Sequence, residues 1–297
     1  MRGRVTPDGA FGLTSLPVPN HVAVVTDSTA SLPEQLRRQW DVTVIQLQLQ
    51  VGDQVDEENR FDRGELTEAL RSGQRVSTNP PDPGAFFWAY QDAAAAGASA
   101  IVSLHISQRM SATLLAAREA AQQVQIPVYP VDSGTTGMSL GFAVLSAARA
   151  AAAGARVERV IEAAERRFST SSELLYVDTL EYLRRGGRIG GAAALLGTAL
   201  SIKPLLTVRD GEVAPLARAA GNRRALAKLV DLAVERAGGR PTDLAISCFR
   251  PTERELMLVQ QLRDRIPDVR ELSIVEASTV IGAHVGPGAL SVTVSPA

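Results

Sequence analysis

Between residue 21 and about residue 170, short apolar runs alternate with longer stretches of helical periodicity, and this alternation narrows the fold more than any other feature. His21–Thr26 (HVAVVT) has the pattern of a compact buried strand and is followed by Asp27-Ser28. Ile101–Ile106 and Val128–Val131 repeat the pattern, the latter ending in a second Asp-Ser pair, Asp132-Ser133. Asp62–Arg71, Ser111–Gln123, Met138–Ala153 and Val157–Phe168 carry apolar residues at helical spacing. Strands separated by helices pair in parallel and are covered on both faces, so residues 21–170 are predicted to form an α/β domain. Within it, Ser31-Leu32-Pro33-Glu34 fits a capping box with Ser31 as N-cap. Ile45, Leu47, Leu49 and Val51 alternate with glutamines, which predicts one strand with a wet face.

The pattern changes in residues 171–297. Leu174–Val177 reads as a strand, and Leu205–Arg209, Asp210-Gly211 and Glu212–Leu216 read as a hairpin because Asp-Gly is a favoured two-residue turn. Helices over Asn222–Ala237 and Thr252–Arg265 are interleaved with strands at Leu244–Phe249, Glu271–Val275 and Ala289–Val294. That order predicts a smaller mixed α+β domain with its boundary near residue 170. Residues 1–20, rich in Gly and Pro, read as a loose extension without the apolar core of a secretory signal.

Composition removes several function classes. The 297-residue chain is 45% hydrophobic and 21% charged, enough for a substantial core. A net charge of −1 provides no basic field for nucleic acid. No apolar run reaches the roughly 18 residues of a membrane span. The single cysteine, Cys248, lies in the apolar run LAISCF and reads as a buried strand thiol, which leaves no intramolecular disulfide or multi-cysteine metal site. A cytoplasmic protein is the expectation. No phosphate loop (GxxxxGKS/T), no GxGxxG after the first strand and no GxSxG elbow occurs, and His21, His105 and His284 lack zinc-type spacing.

The positive signals are hydroxyl-rich segments where strands end. VSTNPPDPGAF carries Ser77, Thr78 and Asn79; HISQRMSATLLAA carries Ser107, Ser111 and Thr113; VDSGTTGMSLG carries Ser133, Thr135 and Thr136. Ligands of α/β sheets sit outside the carboxyl ends of strands, and hydroxyls beside helix N-termini suit an anionic head group. Near the C-terminus His284 precedes Gly286-Pro287-Gly288, a shape-holding turn able to aim the imidazole. TLEYLRRGGRIGGAAALLGTALSIKPLL, residues 179–206, places Arg184 and Arg185 before Gly186-Gly187 and Arg188, a glycine-ended helix with a basic last turn. Its Ala192–Leu200 stretch reads as a further helix of small side chains.

Taken in order, these segments resemble the DegV family of bacterial fatty-acid-binding proteins over nearly the whole chain from about residue 22. LEYLRRGGRI, IKPLL and HVGPGAL carry the resemblance most specifically, with VAVVTDSTASLP, VSTNPPDPGAF, SQRMSATLLAA and the second Asp-Ser element in matching order. Asn79-Pro80 stand where the family usually has Ser-Gln, and Ala112 stands for a glycine between Ser111 and Thr113.

The resemblance implies a Rossmann-like first domain, a smaller second domain and a lipid tunnel between them. It implies that Thr78, Ser111 and His284 meet a fatty-acid carboxylate, with Asn79, Thr113 and Gly286 nearby. It further implies a non-catalytic role: presenting the acid to a separate ATP-binding kinase subunit that makes acyl phosphate for phospholipid synthesis, with no cofactor or metal of its own. Arg184, Arg185, Arg188, Arg223 and Arg224 are candidate docking contacts for that subunit. The competing expectation is a phosphotransferase or hydrolase that uses His284 as acid and base on a small ligand between the domains.

Overall fold

The computed structural model describes residues 21–197 and 201–296. The residue 1–20 extension and the end of the Ala192–Leu200 stretch lie outside the described residues. The first strand, β1 (Val22–Asp27), leads through a short 3₁₀ turn to α1 (Glu34–Gln39) and β2 (Val42–Ile45). The chain then makes an excursion through β3 (Gln48–Val51), β4 (Gln54–Glu57), α2 (Arg63–Arg71) and β5 (Val76–Asn79). It returns through α3 (Pro83–Ala95), β6 (Ala100–His105), α4 (Thr113–Ala121), β7 (Val128–Asp132), α5 (Gly137–Ala152) and α6 (Val157–Thr170). The strands β2-β1-β6-β7 form a parallel sheet in that order, so the direction of winding reverses between β1 and β6. β4-β3-β5 form a separate antiparallel sheet.

The second half contains β8 (Ser172–Tyr176), α7 (Glu181–Arg185), β9 (Ile202–Arg209), β10 (Glu212–Ala220) and α8 (Gly221–Ala237). It closes with β11 (Thr242–Cys248), α9 (Glu253–Arg265), β12 (Val269–Glu276), α10 (Thr279–Val285) and β13 (Leu290–Pro296). These strands make a mixed six-stranded sheet, β10-β9-β8-β13-β11-β12, in which only β11 and β12 are parallel. The fold is α/β, with one parallel and one mixed sheet.

Helices α5 and α6 lie between the two large sheets. Leu140 and Val144 of α5 pack with Val24 and Val102 of the parallel sheet, while Met138, Phe142 and Leu145 pack against Ala245 and Val275 of the mixed sheet. Arg167 of α6 pairs with buried Asp243 and donates to the carbonyls of Ser295 and Pro296. Helices α3 and α4 cover the other face of the parallel sheet through Phe86, Tyr90 and Ala117. Helices α8 and α9 cover the far face of the mixed sheet through Leu229, Leu258 and Leu262.

Three expectations change locally. Ser31 does not cap α1: it adopts a left-handed conformation (φ 52°), and its hydroxyl accepts from the Ser278 amide at 3.1 Å. Glu34 instead pairs with Arg37 and Arg38, and a true capping box forms at Thr252 and Glu255. The alternating run Ile45–Val51 is two strands. Leu47 takes a hydrogen bond from the Glu58 amide and gives one to Ser28 Oγ, so the chain leaves one sheet there and enters another with its backbone groups satisfied. The proposed Ala192–Leu200 helix is a 3₁₀ segment over Gly190–Leu195.

Candidate functional site: a chambered tunnel between the sheets

The VSTN segment, expected to follow the end of a strand, is itself strand β5, and Thr78 lies opposite fully buried Leu49 in the antiparallel sheet. Its hydroxyl reaches His284 Nε2 at 2.8 Å. His284 is on α10, whose N-terminus is held by the buried Glu58 carboxylate. That carboxylate accepts hydrogen bonds from the hydroxyls of Ser278 and Thr279 and from the Val280 amide. The ring is set against α7 by glycines. A Cβ on Gly186 would lie 2.1 Å from His284 Nδ1, and a Cβ on Gly286 (φ 81°) would lie 2.0 Å from the Tyr182 ring. Each signature segment thus carries the glycine that admits the other's aromatic side chain. Asp178 joins them to the third: it accepts from Tyr176 Oη at 2.6 Å, its carbonyl takes Lys203 Nζ at 3.0 Å, and it abuts Gly288.

Ser111 stands at the entrance to α4, where its Oγ accepts the Thr113 amide and meets Thr113 Oγ1 at 2.8 Å. Its loop is latched to the β9–β10 hairpin across the two halves. Ser107 Oγ donates to the Gly211 carbonyl at 2.7 Å, and Arg109 pairs with Glu212 at 2.9 Å. Asp210 and Gly211 both have positive φ, as a tight Asp-Gly turn requires.

These elements line three adjoining spaces that share wall residues. An outer vestibule of about 540 Å³ is bounded by Arg75, Ser77, Tyr182 and Arg185. Thr78, Arg188 and His284 line both the vestibule and a second chamber of about 350 Å³. This second chamber adds Ser111, Asn79 and Ala112 at its polar end and walls of Leu175, Leu183, Val208, Val213, Val280 and Ile281. Leu175, Thr136, Ile281 and Val285 in turn line an inner space of about 30 Å³ whose walls mix apolar side chains with Ser31, Glu173, Ser247 and Ser291.

The electrostatics of the polar end favour a neutral imidazole beside a fixed cation. Burial, aided by the Arg188 charge, lowers the His284 pKa to about 4. Nδ1 of His284 is buried without a hydrogen-bond partner. The tautomer with the proton on Nε2 leaves no stranded N–H and donates to Thr78 Oγ1, freeing that hydroxyl to donate to a ligand. Arg188 stands apart from the other arginines. Its Nε and Nη1 donate to the carbonyls of Met110 and Gly186 (3.1 and 2.8 Å), and it lines the tunnel rather than an open face. Arg184 and Arg185 are exposed and both pair with Glu181, whose carboxyl they hold near 2. Arg223 and Arg224 are exposed in the first turn of α8 and line none of these spaces. Thr113 and Gly286 support Ser111 and Tyr182 from behind rather than facing the second chamber.

A Ser–His–Asp alignment does occur elsewhere. His105 Nδ1 meets Asp27 Oδ2 at 3.0 Å, and its Nε2 meets Ser103 Oγ at 2.7 Å. All three are fully buried, Ser103 is also bonded to Tyr90, and none lines the tunnel, so the array ties β1 to β6. His284 has no carboxylate on Nδ1 to orient it as an acid–base pair. Among the described residues no cluster of three or more His, Cys, Asp or Glu is placed to hold a metal. No described helix is long and apolar enough to cross a membrane.

The architecture is shared with proteins of known structure. A DegV family protein from Thermus thermophilus described for its fatty acid binding superposes with a TM-score of 0.88 at 31% identity, covering 93% of this chain and all of that one (100%). DegV of Bacillus subtilis, a fatty acid binding protein, gives a TM-score of 0.84 at 29% identity over 93% of this chain and 99% of its own. A DegV domain-containing protein of Streptomyces coelicolor is 44% identical over 276 residues, 93% of this chain and 98% of the relative. The family model described as "uncharacterised protein, DegV family" matches residues 21–297, and the chain belongs to the DegV family.

Proposed function

We propose that this protein binds a long-chain fatty acid in the tunnel and presents its carboxylate at Thr78 and Ser111 to a separate ATP-dependent fatty acid kinase. The observation that carries the reading is an apolar chamber whose one end converges on Thr78, Ser111 and His284 and opens into a polar vestibule. The fatty acids bound by the relatives from Thermus and Bacillus support it.

Burying an alkyl tail yields about 0.8 kcal/mol per CH₂, so the tail supplies most of the affinity. Desolvating the carboxylate is offset by the Thr78 and Ser111 hydroxyls, with His284 polarising Thr78 and the Arg188 charge nearby. Hydroxyl donors leave the carboxylate nucleophilic toward a phosphoryl donor held by the partner subunit. The exposed Arg185, which bounds the vestibule, and its exposed neighbour Arg184 suit an acidic docking surface.

Calorimetric titration of delipidated protein with palmitate tests this reading. Saturable one-to-one binding is expected, weakened about tenfold or more in both Ser111→Ala and Thr78→Val, since a charge-assisted hydrogen bond is worth about 1.5–3 kcal/mol. Unchanged affinity in both variants would move the carboxylate elsewhere. Absence of binding would end the proposal. For the kinase step, acyl phosphate should form only when the lipid-loaded protein, ATP and the kinase subunit are combined; formation without this protein would remove its presenting role.

A further inference from the structure

The inner end of the tunnel is not built for hydrocarbon alone. Thr136 and Ser247 both line the inner space, are 8% and 5% exposed, and have hydroxyl oxygens buried without a hydrogen-bond partner. Thr136 also borders the acyl chamber, so the residue stands at the junction of the two spaces.

The freedom of Thr136 has a structural cause. It occupies the N-cap of α5, where a threonine hydroxyl ordinarily accepts an amide of the first turn. Here that amide, Ser139 N, donates instead to Glu173 Oε2 at 3.2 Å. Glu173, a buried residue of β8, also accepts on the same oxygen from Ser139 Oγ and Thr293 Oγ1, and its side chain borders the inner space as well. The carboxylate has displaced the threonine from its cap, and the threonine faces the tunnel. Ser247, on β11, faces the same small space from the mixed sheet. Its other walls include the apolar Leu175, Phe249, Ile281, Val285 and Leu290 and three polar side chains with partners of their own: Ser31 with the Ser278 amide, and Ser291 with Glu173.

We propose that Thr136 and Ser247 form a second polar subsite, at the buried end of the tunnel, that recognises a hydroxyl group on the distal part of an acyl chain. This rests on the fatty-acid reading above and specifies its ligand class as hydroxy fatty acids. A hydroxyl both donates and accepts, so one such group can satisfy two side-chain hydroxyls where a methylene satisfies neither. The inner space, about 30 Å³, is the size for a single small polar group.

The test is competition binding on full-length delipidated protein with stearate and a hydroxystearate series whose hydroxyl moves along the distal half of the chain. In wild type, one member of the series should bind about tenfold more tightly than stearate, equal to about 1.4 kcal/mol. In Thr136→Val with Ser247→Ala, changes that keep side-chain volume nearly constant, the ratio should fall to one or below. Wild-type protein that ranks stearate equal to or above every hydroxystearate overturns the subsite while leaving the fatty-acid reading intact. A hydroxyl preference that survives in the double variant assigns the recognition to other residues and overturns it too. Protein that binds neither class overturns both.

Discussion

Acidification should cost this protein stability through His284, in a window that its environment defines. The imidazole has an ordinary pKa of 6.5 in the unfolded chain and about 4 in the fold, because burial and then the Arg188 charge disfavour its cation. Between those values the unfolded state binds a proton that the folded state refuses. Stability is therefore full above about pH 6.5 and declines as pH falls toward 4. Full linkage from pH 7 to pH 5 amounts to about 2 kcal/mol, and the partial exposure of the ring reduces the expected loss to about 1–2 kcal/mol. The assay is urea unfolding of wild type and His284→Gln at a series of pH values. Carboxylates such as Glu181 titrate in both proteins and cancel in the difference. Wild type should lose stability relative to the variant as pH drops. A constant difference from pH 7 to pH 5 would show that His284 titrates normally and would refute the neutral-imidazole description. With palmitate bound, the carboxylate beside Thr78 should raise the His284 pKa, and an NMR titration of the complex should record a midpoint above that of the free protein.

Other perturbations separate the parts of the site. Gly186→Ala places a methyl 2.1 Å from His284 Nδ1 at an ordinary backbone angle (φ −75°), so it should displace the ring and weaken palmitate binding at least tenfold; unchanged binding in a calorimetric titration would contradict the packing. Glu58→Ala should cost about 3 kcal/mol in chemical denaturation by stranding the buried Ser278 hydroxyl and the Val280 amide, while Thr279 Oγ1 keeps the Glu58 carbonyl; a loss below about 1 kcal/mol would show that α10 is held otherwise. The Cys248 thiol, pushed up to about 11 by burial and the nearby Glu255 charge, should react with a thiol reagent only at the rate of unfolding; rapid modification in native buffer would mean that β11 opens.

The sequence displayed the fold more fully than the site. The parallel strands β1, β6 and β7 and the Asp210-Gly211 hairpin were legible because each is a local pattern of period or turn chemistry. Strand β5 was not, since VSTN followed by prolines carries no apolar alternation and is a strand only because Gln50 and Leu49 pair with it. The misplaced capping box at Ser31 has the same origin: a short motif fits many places, and the Ser278 amide, 247 residues away, decides how that hydroxyl is used. At the site, Thr78, Ser111 and His284 were identifiable through ordered motifs, and the structure brings all three to one chamber. Arg188 was grouped with Arg184 and Arg185 by adjacency. The left-handed Gly187 (φ 68°) turns the chain after them, and the guanidinium goes inward to the carbonyls of Met110 and Gly186. The apolar walls carry no local signal because Leu175, Val208, Val213 and Ile281 resemble any other core residues until the sheets are assembled.

A crystal structure of the palmitate complex tests the central claim most directly. The carboxylate should lie within hydrogen-bond distance of both Thr78 Oγ1 and Ser111 Oγ, with the tail running past Leu175 and Ile281 toward the inner space. An empty tunnel at saturating palmitate, or a tail whose carboxylate points toward Thr136 with its methyl end at His284, would contradict it.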